Sequence, residues 1–459
     1  MLRHFAALLL VLTALELRLG AVNETGGEAI AVEPVWSAHP VGFSLHTHPP
    51  HQYVAYYDAQ RRMSVAQRRL DSTNWTITRL PSMLGWDSHN YVTLALDRDG
   101  FLHVAGNMHG VPLIYFRSGE PHLAASLRRV PAMTGEREQR VTYPVFLHDR
   151  EGRLIFRYRD GGSGNGDDLY NVYDEATHAW HRLLNQPLLS GGGRMNAYAT
   201  VPKRGPDGRF HIVWVWRDTP DCASNHTLSY ARSDDLRRWT DAAGRALALP
   251  ITMESGVVVD PVPPRGGLLN VNRELGFDNA GRPVVTYHKY DAQGDLQVYA
   301  AHYESNAWKI VQVSDWQGYR WEFSGGGTIL VEVNVGAVRP LGQGRLALSY
   351  RYPRGTGEWV LDEATLRPIP GAKAPRVDPL LPAGLARADG SFPGLKPRQA
   401  RDTGTPPVGA RYVLAWETLE ANRDQPRTGA LPEPSLLRVL ALPAEGTAGR
   451  PDAQPLQPE

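Results

Sequence analysis

A phrase that returns five times constrains the fold of this chain more than any other feature. LDRDGFLHVAG at 96, HDREGRLIFRY at 148, GPDGRFHIVWVW at 205, FDNAGRPVVTYHKY at 277 and GQGRLALSYRY at 342 each place a glycine-centred turn ahead of an alternating apolar strand. Alternation at period two is what a strand with one buried face requires. The turn glycines, at 100, 152, 208, 281 and 344, lie between 52 and 73 residues apart, which leaves room for four short strands and loops of unequal length. A second phrase trails the first, a polar turn closed by an indole: DSTNW at Trp75, DEATHAW at Trp180, SDDLRRW at Trp239 and YESNAW at Trp308. The ring covers the otherwise exposed end of a sheet. Two phrases repeating in phase predict an all-β fold, a seven-bladed β-propeller of four-stranded antiparallel blades. The supply of 45 glycines, 36 prolines and 12 tryptophans suits a chain of tight turns and filled gaps between sheets.

Around this body the chain is uneven. Residues 1–21 carry an early Arg3, an apolar run from Phe5 to Leu15 and a small-residue end, the pattern of a signal peptide. Glu16 and Arg18 cut the run short of a membrane span, so the expectation is an exported protein, periplasmic or secreted, with no membrane span after signal removal. Residues 22–442 form one propeller domain, interrupted by a Pro-rich insertion at about 365–410. ARYVLAWETLE and SLLRVLALP then resume strand character and close the ring, ahead of a tail, 443–459, expected to be disordered. The single cysteine, Cys222, excludes an intrachain disulfide. With 49 basic and 48 acidic residues there is no cationic field for nucleic acid, so nucleic-acid partners are excluded, and a monomer is expected.

Equivalent strand ends of successive blades converge on one face of a propeller, so residues far apart in sequence can meet there. WDSHNYVTLALDRDGFLHVAGNMH, residues 86–109, sets His89 beside Asn90 and His109 near Asn107 at the two ends of one hairpin. FRYRDGGSGNG brings Tyr158 and Arg159 to a glycine-rich loop, and GGGRMNAY presents Arg194 and Asn196. Histidine exchanges protons near neutrality, tyrosine can donate to a leaving oxygen and arginine can clamp a carboxylate. Those three together suit β-elimination from a uronic acid within an acidic polysaccharide. His103, on the same hairpin, reads as a core residue. The GGSGNG loop lacks the following lysine and helix of a phosphate loop. No two aspartates stand out as a glycosidase pair. His211, Cys222, His226 and His288 form the one metal-like pattern, a candidate structural zinc site, with no cofactor needed for catalysis.

QYVAYYDAQRRMSVAQRRL, GWDSHNYVTLALDRDGFLHVAGNMHGVPLIYFRS, FRYRDGGSGNG and GGGRMNAY, taken in order, resemble the BNR-repeat family of seven-bladed propellers that includes ulvan lyases, over about residues 33–441. The resemblance implies a site of two histidines, a tyrosine and an arginine, matched here by His89, His109 and Tyr158. The family also includes enzymes cleaving rhamnose-glucuronate linkages of arabinogalactan type, described as rhamnosidases and as lyases. By that likeness a histidine of the opposite face, His48 or His51 in HTHPPHQYV, would act with Gln297 as companion. Ulvan-lyase-like members carry an arginine in the strand after the glycine-rich loop, where this chain has Val172, leaving Arg159 or Arg194 to neutralise the carboxylate. A His/Cys/His zinc cluster is a further likeness. The expectation is therefore a lyase acting at a 4-linked glucuronic acid beside rhamnose. The alternatives are an α-L-rhamnosidase-type hydrolase and a non-catalytic glycan-binding propeller.

Overall fold

The computed structural model describes residues 28–376 and 390–443. The expected leader at 1–21, the tail beyond Pro443 and residues 377–389 of the Pro-rich connection lie outside the described residues. Within them the chain is all strand and loop, apart from three single-turn 3-10 helices.

The strands form seven antiparallel sheets, most of them four strands taken in chain order. The first holds Ser44–His48, His51–Tyr57, Arg62–Arg69 and Thr76–Met83. The second holds Val92–Leu96, Leu102–Gly106, Tyr115–Ser118 and Leu127–Val130. The third is built on Val141–His148, Leu154–Gly162, Asn165–Asp174 and Ala179–Arg182. The fourth is built on Asn196–Ala199, Phe210–Arg217 and Asn225–Ser233. The fifth runs from Arg273–Phe277 to Ala307–Gln312, and the sixth is centred on Arg345–Tyr352. In the seventh, Lys396–Arg401, Ala410–Thr418 and Ser435–Pro443 are completed by Glu28–Val35 from the other end of the described chain. The first strands of the first three sheets touch in turn, Asn165–Asp174 of the third sheet meets Asn196–Ala199 of the fourth, Phe210–Arg217 of the fourth meets Arg273–Phe277 of the fifth, and Lys396–Arg401 of the seventh meets Ser44–His48 of the first.

The repeated phrase is explained by its hydrogen bonds. In the turn at 278–282, Asp278 Oδ1 accepts from the Ala280 and Arg282 amides, Arg282 Nε donates to Oδ2, and Gly281 takes a φ of 78°, which a side chain would resist. Asp149 with Arg153 repeats the device, and Asp97 accepts amides in the same way. Trp180 and Trp239 are buried in the clusters between sheets, as the second phrase requires.

One expected boundary differs. The connection at about 365–410 is not all loop: Lys396–Arg401 forms the first strand of the seventh sheet. Its polar KPRQAR lacks alternation because the strand is half-exposed along its length.

Within a sheet the first strand runs from one face of the molecule to the other and the second returns. Loops entering a first strand and loops joining second to third strands therefore share a face. Turns joining first to second strands lie on the opposite face. His89 and His109 belong to the former, His48 and His51 to the latter.

Candidate functional site

The hairpin Val92–Leu96/Leu102–Gly106 does bring its two ends together: the rings of His89 and His109 lie 4.3 Å apart, centroid to centroid. Asp87 stands between them. Its Oδ1 accepts from His89 Nδ1 at 2.7 Å and from the His89 amide, and its Oδ2 accepts from His109 Nδ1. His109 opens the short strand His109–Val111, which leaves the hairpin and pairs with Val141–His148 of the third sheet, where Thr142 Oγ1 accepts from the Gly110 amide. The pair is thus fixed at the seam of two sheets, each imidazole about a quarter exposed.

Burial alone would raise the Asp87 carboxyl, but hydrogen bonds from His109 and His89 outweigh it and hold the group well below the usual carboxylate range. An ionised carboxylate only accepts, so both Nδ1 atoms must carry the proton. In a neutral ring so held, Nε2 carries the lone pair, the tautomer a general base needs.

Tyr143 completes the cluster, its ring centroid 5.7 Å from that of His89 and 6.1 Å from that of His109. It sits on a bulge of Val141–His148, where pairing slips between Thr142 and Val145, and its φ is 55°. A non-glycine residue there costs of order 1–3 kcal/mol, and the bulge turns the side chain out of the strand's alternation. Burial raises the Tyr143 phenol and Tyr198 raises it further, against smaller opposing effects of Arg159 and Arg217, so it stays protonated at neutral pH. Its hydroxyl makes no hydrogen bond among the described residues.

Behind Tyr143 lies a cationic wall. The Arg159 guanidinium stacks over the rings of Tyr143, at 4.8 Å, and Tyr198, at 5.6 Å, with none of its three nitrogens hydrogen-bonded. Arg217 stacks on Tyr198 and donates to its hydroxyl, which also bonds Ser163 Oγ at 2.7 Å. Arg273 donates Nε to the Tyr198 carbonyl, and burial pulls it down to about 10. Two adjoining cavities meet here. One of about 170 Å³ contains His89, His109, Tyr143 and Arg217. The other, about 310 Å³, contains His89, Tyr143, Arg159 and Arg273.

Several expected residues are elsewhere. Tyr158 is 1% exposed inside a hydrophobic cluster, its hydroxyl bonded to the Arg137 carbonyl and Arg182, so Tyr143 stands where Tyr158 was expected. Arg159 is present but lies beneath the tyrosine rings, and Arg194 is exposed and lines neither cavity. Asn196 is buried and works structurally: its Oδ1 accepts from the Gly164 amide and holds the glycine-rich loop that carries Ser163. Asn107, at φ 59°, shapes its turn by donating to Ser82 and the Met83 carbonyl. Asn90 donates its amide to the Asp87 carbonyl and closes the turn that presents His89. Val172 packs against a core cluster and lines neither cavity, so its lack of charge does not bear on this site.

The zinc pattern does not assemble. His211 is committed to Tyr230 and Asp207, His226 to Thr227 and Asp218, and His288 to the Gly267 carbonyl and Asn272. Cys222 is buried, its thiol pushed up by that burial. Each imidazole is held by neighbours in its own part of the fold, because a shared sequence spacing does not imply a shared point in space. Among the described residues, the group that could hold a metal is Asp87, His89 and His109.

On the opposite face His122, unremarked in the sequence, stacks between His48 and His51, its centroid 5.2 and 5.6 Å from theirs with planes 14° apart. Gly100 makes room, since a Cβ there would sit 2.3 Å from His122 Nε2. Gln297 is not near this stack; it is buried in the fifth sheet, bonded to Ser314, Trp316 and Asp291.

The profile of a family described as "BNR repeat-containing family member" matches residues 51–316. Among solved structures, the polysaccharide lyase Uly1 has a TM-score of 0.59 at 14% identity, over 88% of this chain and 90% of its own. A PL25 ulvan lyase gives 0.56 at 13%, over 85% and 96%. A PL25 ulvan lyase bound to -[GlcA(1-4)Rha3S]- gives 0.56 at 12% over the same shares. At such identities the likeness is one of fold. No curated protein matches the chain. No helix among the described residues is long and apolar enough to cross a membrane.

Proposed function

Because the chain belongs to the BNR repeat-containing family, we propose that its seven sheets are the blades of a propeller and that it is an exported polysaccharide lyase, cleaving by β-elimination at a 4-linked glucuronic acid beside rhamnose. The observation that carries this is Asp87 holding two histidines in the base tautomer beside a protonated tyrosine, against an arginine wall. A hydrolase needs two carboxyl groups across the scissile bond. Here Asp87 is spent on orienting the histidines, Asp424 accepts from Ser88 and Thr328, and Asp168 is paired with Arg157.

The uronate carboxylate enters the larger cavity, where Arg273 meets it and Arg159 adds charge from behind the rings. Neutralising that group lowers the cost of negative charge at C5. His89 lines both cavities, so its Nε2 is the base nearest C5 and takes the proton. As the C4–O4 bond breaks, Tyr143 gives its phenolic proton to the departing oxygen and a C4=C5 double bond remains. The proton held by His89 then leaves to solvent and one from solvent restores the Tyr143 phenol, with His109 beside both, so the site is reset with no net change in protons. The substrate reading is supported by the likeness to lyases whose names specify ulvan and a glucuronate-rhamnose ligand.

The test is to incubate the protein with ulvan and, separately, with gum arabic, and to follow the ultraviolet absorbance of an unsaturated uronate. Mass spectrometry expects fragments without added water. Fragments carrying added water would instead make it a hydrolase, and binding without turnover would make it a glycan-binding propeller.

A further inference from the structure

The two histidines and the aspartate that orient one another also have the composition and the spacing of a metal site. One ligand atom from each of Asp87, His89 and His109 lies within 4.8 Å of the others. Both Nδ1 atoms already converge on the two oxygens of one carboxylate. A tetrahedral dication with bonds of about 2.1 Å needs its ligands about 3.4 Å apart, against 2.7 Å between His89 Nδ1 and Asp87 Oδ1 in the metal-free site. A second carboxylate is close: Asp424 Oδ2 stands 3.6 Å from His89 Nδ1. Asp424 is fixed there by the Ser88 amide and hydroxyl and by the Thr328 amide, so it approaches on a loop anchored at both neighbours. Two imidazoles and two carboxylates suit zinc and its borderline neighbours better than calcium or magnesium, which prefer oxygen throughout.

We propose that Asp87, His89 and His109, with Asp424 as fourth ligand, bind a zinc-class dication through the two Nδ1 atoms, and that the bound ion switches the base off. The two states exclude each other by proton bookkeeping. In the metal-free site each neutral imidazole carries its proton on Nδ1, against Asp87, and a lone pair on Nε2. When the ion takes both Nδ1 lone pairs, each ring moves its proton to Nε2 through solvent, with no net proton released. Neither Nε2 can then accept a proton from C5. The ion meets one or two carboxylates, so the loaded site is at most singly positive and needs no further counter-ion.

The coordination claim stands apart from the lyase reading, and the experiment keeps them separate. The full-length protein, freed of metal with a chelator, is titrated with Zn²⁺ by calorimetry, and the same titration is run on His109→Ala, Asp424→Asn and His48→Ala. One ion per chain is expected, bound at least tenfold more weakly by His109→Ala and several-fold more weakly by Asp424→Asn, with His48→Ala unchanged. Circular dichroism of each variant checks that it is folded. Stoichiometric Zn²⁺ should also abolish glycan cleavage, and excess chelator should restore it. Absence of a stoichiometric site, or a site lost in His48→Ala and retained in His109→Ala, overturns the proposal. Zinc binding at the triad in a protein that cleaves no glycan would leave the metal site standing and the lyase reading fallen. Undiminished cleavage with Zn²⁺ bound at the triad would overturn the switch.

Discussion

Two histidine clusters lie on opposite faces, and they differ in one partner. His89 and His109 share a carboxylate, which fixes their tautomers and leaves both Nε2 atoms as acceptors. His48, His51 and His122 stack on one another with no carboxylate partner among the described residues, and burial, then the charge of His122, pushes His48 and His51 below the ordinary histidine range. A carboxylate that accepts from Nδ1 fixes which ring nitrogen faces the substrate. A histidine facing other histidines resists a second charge. The difference favours the Asp87 face as the seat of proton transfer, although both faces carry the residue type that a search for bases would select.

The comparison breaks most visibly if the faces are disabled in turn. His89→Ala should lower kcat on a uronate glycan by about 10³-fold, within the range for losing a positioned base. His48→Ala and His51→Ala should leave kcat within about threefold, and the reverse outcome moves the active site to the other face. Asp87→Asn keeps the shape and loses the charge, and its amide nitrogen can donate to an imidazole, so the wrong tautomer becomes available. A fall in kcat of several hundredfold is expected, short of the roughly 10⁴-fold seen when a triad aspartate is neutralised, because the amide oxygen can still hold one of the two rings in the base tautomer. Initial-rate kinetics with KM little changed would place the effect on the chemical step rather than on binding.

The two tyrosines make a second contrast within the same face. Tyr143→Phe removes the proton given to the leaving oxygen and should reduce kcat about 10²-fold. Tyr158→Phe should cost only a structural hydrogen bond, about 1 kcal/mol in urea unfolding, with kcat within about twofold. Equal losses in the two variants would restore Tyr158 to the site.

What was legible follows from period two and turn chemistry. The Asp-x-x-Gly turns and the strands after them reveal the repeated sheets, and one hairpin of twenty residues between its histidines reveals the pair. Tyr143 was hidden because the bulge between Thr142 and Val145 breaks the alternation that assigns faces. Its one written trace is Pro144, a residue that marks bulges inside strands. Tyr158 misled because Leu154–Gly162 is buried on both faces, where alternation cannot say which side meets solvent. Arg273 begins a first strand that carries no motif of its own. The zinc pattern failed for a related reason: each of its histidines finds both hydrogen-bond partners close to its own strand.

The effect expected to touch turnover least belongs to the opposite face and concerns stability alone. His46 is 7% exposed and is pulled down to about 4 by burial first, then by His148 and His48. The unfolded chain titrates this group at its ordinary value, so between pH 6.5 and 4 the unfolded state binds more protons than the folded one. Stability supplied by the neutral ring is therefore complete above pH 6.5 and is lost as pH falls through that window, by about 2 kcal/mol at pH 5. His46→Gln retains a donor to Thr403 Oγ1, whose own proton goes to the Leu45 carbonyl, and has nothing to protonate, so its unfolding free energy should be flatter between pH 7 and 5 than that of the native chain. Urea unfolding at three pH values measures the slope. The same variant should leave the pH profile of kcat untouched, because the residues that exchange protons with the substrate lie on the other face. A shifted profile would mean that the two faces are coupled through the propeller core rather than independent.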